Sequence, residues 1–231
     1  MYFLSRPSLL LPDIKFDNTT IEWVREYKYL GLNITNGLCF SLHIEKVAIR
    51  VSQFCGILFY LNKVLPRRIL MMLYFAFILP HLLLHIEIWG SAPDCHIKTL
   101  IVKQNQLLRA ILGVSFINGR PVLGTVELYK QCNVLTLKNI FKLQLFKFMV
   151  KLLKGEYPHF YEMLLRPHHV QHNYNTRSRV FRHPLITCEI GRRFLDYQLV
   201  ILHEETPPDM YDEGSLRSAL KRYKKFLLSS Q

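Results

Sequence analysis

The chain has 231 residues, half of them hydrophobic, which allows one or two domains with a sizeable core and excludes a disordered chain. Its five cysteines, Cys39, Cys55, Cys95, Cys132 and Cys188, are odd in number, widely spaced and without a Cys-x-x-Cys pair, which points to reduced, mostly buried thiols inside a cell. Lys and Arg total 30 against 17 Asp and Glu, and the net charge of +13 favours a polyanionic partner, nucleic acid ahead of a membrane surface.

Residues 1–40 read as short strands. Met1 to Pro7 lacks the basic start and long apolar run of a signal peptide, so an intracellular protein is expected, nuclear or cytoplasmic and not secreted. Tyr2–Ser5 reads as one strand. Ile21–Val24 alternates apolar and polar residues, as does Leu32-Asn33-Ile34, which stops at the turn dipeptide Asn36-Gly37. Between them Glu26–Gly31 marks the handover from β to α.

Almost everything from Ser41 onward has helical periodicity. Ser41 is placed to cap a first helix running to about Val64, with Ile44, Val47, Val51, Phe54, Leu58 and Leu61 as its apolar stripe. His43, Lys46, Arg50 and Gln53 form a polar stripe on another side. Pro66 opens a second helix that reaches about Ile78 and is interrupted at Pro80; a continuation carries His81, His85 and Trp89. The apolar run Ile69–Leu84 is shorter than the ~20 residues of a membrane span. Arg67, Arg68, His85 and Glu87 bracket it, so it is expected to be a buried core helix.

A third helix follows Gly90–Asp94 and ends at Gly113, with Ile97, Leu100, Ile101, Gln104, Leu108 and Ile111 on its buried arc. At ~100° per residue, Asn105 and Arg109 fall within about 20° of Lys98, on the opposite side. Lys103 and Gln106 flank that side. Three amphipathic helices with short links predict a compact bundle. Residues 115–120 read as a linker and Pro121–Gln131 as a short helix. Thr136–Lys154 is a longer helix, apolar on more than one side, which predicts packing on several sides. Gly155 and Pro158 close that region. The pattern then weakens, and His168 to Arg177 is polar and irregular. Ser215 to about Leu228 is a last helix carrying Arg217, Lys221, Arg222, Lys224 and Lys225.

Several of these words occur together in one order. Tyr27-Lys28-Tyr29-Leu30-Gly31 is followed by Leu32-x-Ile34, a turn, and His43-Ile44-x-x-Val47. Leu65-Pro66-Arg67, Leu79-Pro80-His81-Leu82-Leu83, Ile86-Glu87-Ile88-Trp89-Gly90 and the run Gln104–Gly113 come next. In this order and spacing the set resembles the palm end and thumb of non-LTR (LINE-type, jockey-like) retrotransposon reverse transcriptases. The resemblance covers most of residues 1–153, and more faintly His172–Arg177 and the last helix.

The resemblance implies a mainly α fold, with a small N-terminal β hairpin followed by a thumb-like helical bundle and further helices. It implies a palm end with a primer-grip-like hairpin at 1–40 and a thumb-like three-helix bundle at 41–118. A helical connector would follow at 119–165, then an irregular basic C-terminal region at 166–231 ending in a helix. Tyr27, Lys28, Tyr29, Leu30 and Gly31 would meet the primer strand, where aromatic rings can stack on a sugar or base. The alternative for Tyr29 and Leu30 is burial in the core. A thumb needs sequence-blind phosphate contacts, and Lys46, Arg50, Lys98, Asn105 and Arg109 are the candidates; the alternative is a solvated bundle face. The implied partners are RNA and DNA as primer and template, and the fingers and palm of the parent enzyme, with no membrane.

Catalysis is another matter. Nucleotidyl transfer needs two metal ions, magnesium in the intact enzymes, held by closely placed carboxylates. The chain has no Asp-Asp dipeptide, and Asp13, Asp17, Asp94, Asp196, Asp209 and Asp212 have no such spacing. The chain by itself is therefore expected to be inactive and to need no cofactor. There is no Walker loop and no G-x-G-x-x-G word. His168, His169, His172 and Cys188 lack the close cysteine pair of a zinc knuckle. His81 and His85 sit one helical turn apart without a third ligand. Glu204-Glu205 reads as a surface acidic pair, and Arg177 and Arg179 as phosphate contacts or loop solvation. The alternative from another class is a standalone basic helical module that binds nucleic acid or protein without catalysis.

Overall fold

The computed structural model describes residues 15–230 apart from 18, 21, 23, 36, 37, 115, 118, 119, 167–179, 212 and 213. The protein is mainly helical with a small N-terminal hairpin. It divides into two compact units, one of residues up to His85 with Ala92–Ile111, the other of Ile86–Ser91 with residues from Leu112 onward. This division cuts across the four segments expected from the sequence.

In the first unit, β1 (Lys15–Phe16) pairs antiparallel with β2 (Thr19–Thr20). β3 (Glu26–Tyr29) pairs antiparallel with β4 (Leu32–Thr35), in the register Tyr27↔Ile34 and Tyr29↔Leu32. Of the strand expected at Ile21–Val24, Glu22 and Val24 lie in no strand, and residues 21 and 23 are outside the described ones. Tyr2–Ser5 and Asn36-Gly37 are outside them too. The strand forms at Glu26–Tyr29 because the chain reverses at Leu30-Gly31. Both residues have positive φ, 47° and 89°, as a two-residue type I′ turn requires.

α1 (Ser41–Leu61) buries Ile44, Val47, Val51 and Leu58. Ser41 is its first helical residue and not the cap, a position held by Phe40 at φ 55°. The Ser41 Oγ lies 3.2 Å from the Cys39 sulfur instead. α2 (Arg67–Leu73) widens into a π turn at Tyr74–Ile78 and resumes as α3 (Leu79–Leu83). The expected break at Pro80 is absent. Proline lacks an N–H and crowds the carbonyl one turn back, and the wider turn, with the Leu79 N–H on the Tyr74 carbonyl, accommodates it. The break falls at extended Leu84 and at His85, φ 53°. Leu70, Tyr74, Ile78 and Leu82 are buried, but Met72, Phe75 and Phe77 are exposed, so the segment expected to be a buried core helix buries one side only. Among the described residues no helix is long and apolar enough to cross a membrane.

α4 (Ile86–Trp89) belongs to the second unit and α5 (Asp94–Leu112) mostly to the first. Of the expected arc α5 buries Ile97, Leu100, Gln104, Leu108 and Ile111, together with Leu107, while Ile101 is half-buried. The buried Gln104 amide donates to the Tyr74 hydroxyl in the π turn at 3.1 Å. Gly113 follows at φ 62°, the left-handed helix stop that glycine permits.

In the second unit β5 (Phe116–Ile117) and β6 (Arg120–Pro121) form a two-residue ladder where a linker is expected. α6 (Thr125–Cys132) leads to α7 (Leu137–Leu153), whose N-cap Thr136 accepts from the Asn139 N–H. α8 (Pro158–Leu164), α9 (Leu195–Glu205) and α10 (Leu216–Ser229) follow; α8 and α9 have no clear signal in the sequence. α7 packs against α4, α8, α9 and α10, as its several apolar sides predict. Phe146 of α7 stacks on Tyr223 of α10 with ring centroids 4.1 Å apart. Near one end of that pair Asn139 donates to the Leu227 carbonyl, and near the other Lys154 donates to that of Gly214, so the two helices run antiparallel. Glu204 and Glu205 are paired separately, with His183 at 2.9 Å and Lys142 at 2.7 Å. All five thiols are free, but only Cys132 is buried and Cys95 and Cys188 are exposed, against the expectation of mostly buried thiols.

Candidate nucleic-acid interface

The hairpin has an inner and an outer strand. On β4 Leu32 and Asn33 are buried, while every residue of β3 is exposed. Tyr27 is 48% exposed, Tyr29 58% and Leu30 71%, which removes the reading of Tyr29 and Leu30 as core. The two tyrosines, two residues apart on one strand, share a face. Lys28 points to the other face, opposite Asn33.

α1 packs against β4 and holds it through polar contacts. Lys46 Nζ donates to Asn33 Oδ1 at 2.9 Å. The Asn33 backbone N–H donates to His43 Nδ1 at 3.5 Å. An acceptor at Nδ1 leaves the ring proton on Nε2 and the imidazole neutral. Burial, then the nearby charge of His85, then Lys46 push the His43 pKa down to about 4. His43 is thus a buried support, and not part of the solvent-facing polar stripe expected on α1. Lys46, Arg50 and Gln53 of that stripe are exposed.

The turn is held from the other side. His85 donates Nε2–H to the Leu30 carbonyl at 3.0 Å. A Cβ at Gly31 would lie 3.3 Å from Leu84 Cδ2, so the Leu84–His85 break packs against the turn. The same break removes the helical spacing that would align His81 with His85 as a metal pair. Asn33 and His85 carry no signal of these roles in the sequence, because their partners lie 10 and 55 residues away.

On α5 Lys98 is exposed, while Asn105 and Arg109 are half-buried. The Asn105 Oδ1 and Arg109 Nε are shielded from solvent and have no hydrogen-bond partner among the described residues. α1 and α5 do flank one another, across a groove of about 750 Å³. The sides facing it carry Ser41, Glu45 and Ser52 on α1, and His96, Thr99 and Lys103 on α5. Lys46 and Arg50 lie about 120–160° around α1 from Ser52. The structure joins Lys46 to the hairpin. Of the α1 stripe, Gln53 lines the groove.

Among the described residues no three His, Cys, Asp or Glu side chains come together as a metal site. His168, His169, His172, Arg177 and Arg179 lie outside the described residues. No family profile, no curated protein and no solved structure matches the chain.

Proposed function

We propose that the chain is a portion of a non-LTR retrotransposon reverse transcriptase that grips primer and template without carrying the catalytic carboxylates. The observation that supports this reading best is the hairpin. It is held from two sides, by His43 and Lys46 of α1 on Asn33 and by His85 on the turn, while Tyr27, Lys28, Tyr29 and Leu30 face solvent. Exposed aromatic rings on a fixed strand provide stacking surfaces for sugars or bases, and the adjacent lysine provides a phosphate contact.

The test is binding to a primer–template duplex. Stacking is worth about 1–3 kcal/mol per base, so the Tyr27→Ala, Tyr29→Ala variant is expected to bind at least tenfold more weakly. Its melting temperature should stay close to that of the parent chain, because the rings are 48% and 58% exposed. Unchanged affinity would remove the hairpin from the interface. The same purified chain, given dNTPs and magnesium or manganese, is expected to leave the primer unextended, and template-dependent extension would refute the assignment of catalysis to residues outside this chain.

A further inference from the structure

We propose that α10 carries a second surface for nucleic acid, binding the phosphate backbone of a DNA or RNA strand through Arg217, Lys221, Lys224 and Lys225. None of these residues belongs to the unit with the hairpin, so the surface stands independently of the primer grip.

The geometry follows from helix periodicity. With Leu216 at zero and ~100° per residue, buried Ala219, Tyr223 and Leu227 cluster around 340°, while the four cations span about 80–180°. The cations therefore sit on the side turned away from α7. All four are exposed. α10 contains no Asp or Glu, and among the described residues none of the four is in a salt bridge.

Five other cations of this unit are engaged within it. Lys142, Lys151 and Arg192 pair with carboxylates. Lys154 donates to the Gly214 carbonyl, and the fifth cation of α10, Arg222, to that of Asp209. Solvated helix faces usually interleave signs at spacings of three and four, because like charges there destabilise the helix. Arg217–Lys221 and Lys221–Lys225 are like pairs at a spacing of four, and Lys221–Lys224 at three. A bound polyanion would relieve that repulsion. The helix is held to α7 by the Phe146–Tyr223 stack and by Asn139 on its C-terminal end, so the cations are displayed on a packed element.

The same geometry argues against a membrane surface. The apolar side of α10 is buried, and its basic arc offers only half-buried Leu228 for insertion into lipid. A phosphate backbone asks for charge alone.

The test uses the full chain with labelled single-stranded DNA, single-stranded RNA and duplex over a salt series. Replacing Arg217, Lys221, Lys224 and Lys225 together by glutamine keeps good helix formers at each position, and circular dichroism checks the fold. The slope of log affinity against log salt is expected to fall by roughly 0.7–0.9 for each phosphate that no longer meets a cation, about 3 in all. An unchanged slope and affinity would overturn the proposal, and so would a loss of binding confined to vesicles of phosphatidylserine. Lysine acetylation of the unaltered chain is a second readout. Bound oligonucleotide should protect Lys221, Lys224 and Lys225, and equal reactivity with and without it would overturn the proposal without any variant. Failure of the hairpin is seen separately, in an unchanged affinity of the Tyr27→Ala, Tyr29→Ala variant.

Discussion

Leu30 is a poor residue for its position on two counts. It is 71% exposed, and it sits at φ 47° in the first place of a two-residue turn. A side chain with a Cβ costs about 1–2 kcal/mol there, whereas asparagine tolerates this conformation and Asn-Gly is the favoured pair for such turns. Full burial of a leucine is worth about 1.5–3 kcal/mol, and the fraction buried here corresponds to less than about 1 kcal/mol. Leu30→Asn should therefore stabilise the protein by up to about 1 kcal/mol, or roughly 2–4 °C in melting temperature for a chain of this size. The His85 hydrogen bond survives this change, because its acceptor is the backbone carbonyl. If Leu30 instead serves the interface, the variant should melt higher and bind primer–template more weakly. Thermal unfolding followed by calorimetry, with duplex binding on the same sample, measures both. An unaltered or lower melting temperature would show that the turn backbone stores no strain, and an unaltered affinity would show that Leu30 makes no contact.

Three other outcomes can be checked. The folded-state pKa of His43 lies below its ordinary 6.5, at about 4, so between those values the unfolded chain binds the extra proton. Stability should then fall as pH drops from about 6.5 to 4, by up to about 3 kcal/mol, and the slope should flatten in His43→Gln when denaturant unfolding is followed against pH. Gly90→Ala should destabilise the second unit by about 2 kcal/mol or more, since the added Cβ would lie 2.4 Å from the Phe141 ring and 2.5 Å from the Ile86 carbonyl oxygen; an unchanged melting temperature would refute that packing. The Lys98→Ala, Arg109→Ala pair should reduce the salt slope of duplex binding by only about 0.7–0.9, one contact and not two, because Arg109 is half-buried with its Nε shielded.

Helix periodicity makes the main elements of the first unit legible. The buried arc of α5 follows from spacing alone, down to Gln104, whose burial is satisfied by Tyr74 across 30 residues of chain. The several-sided apolar pattern of α7 likewise announces a central helix. What spacing cannot show is which polar residue turns inward. His43 lies on the same stripe as Lys46 and Arg50, and only the position of Asn33 makes it a buried acceptor. The break expected at Pro80 falls after α3 for a related reason. A π turn, which has no sequence signature of its own, absorbs Pro80, and the turn of the hairpin engages the chain at His85. α8 is short and buries none of its residues, and Leu199, Val200 and Leu202 of α9 are recognisable as core only beside α7.

The two candidate surfaces differ in the kind of force they offer, and that difference separates them in solution. Tyr27 and Tyr29 contribute contact area and stacking, which depend weakly on salt. Arg217, Lys221, Lys224 and Lys225 contribute counterion release, which decays with the logarithm of salt concentration. At low salt the basic helix should therefore dominate affinity for any strand, so the tenfold loss expected of the Tyr27→Ala, Tyr29→Ala variant is read at salt high enough to screen that helix. As salt rises, the helix contribution fades and the remaining affinity should rest on the hairpin. The fold effect of Tyr27→Ala, Tyr29→Ala should accordingly grow with salt, while that of the α10 glutamine variant shrinks. If both effects scaled with salt in the same way, the hairpin would be acting through Lys28 and charge alone, and the stacking assigned to its tyrosines would be wrong.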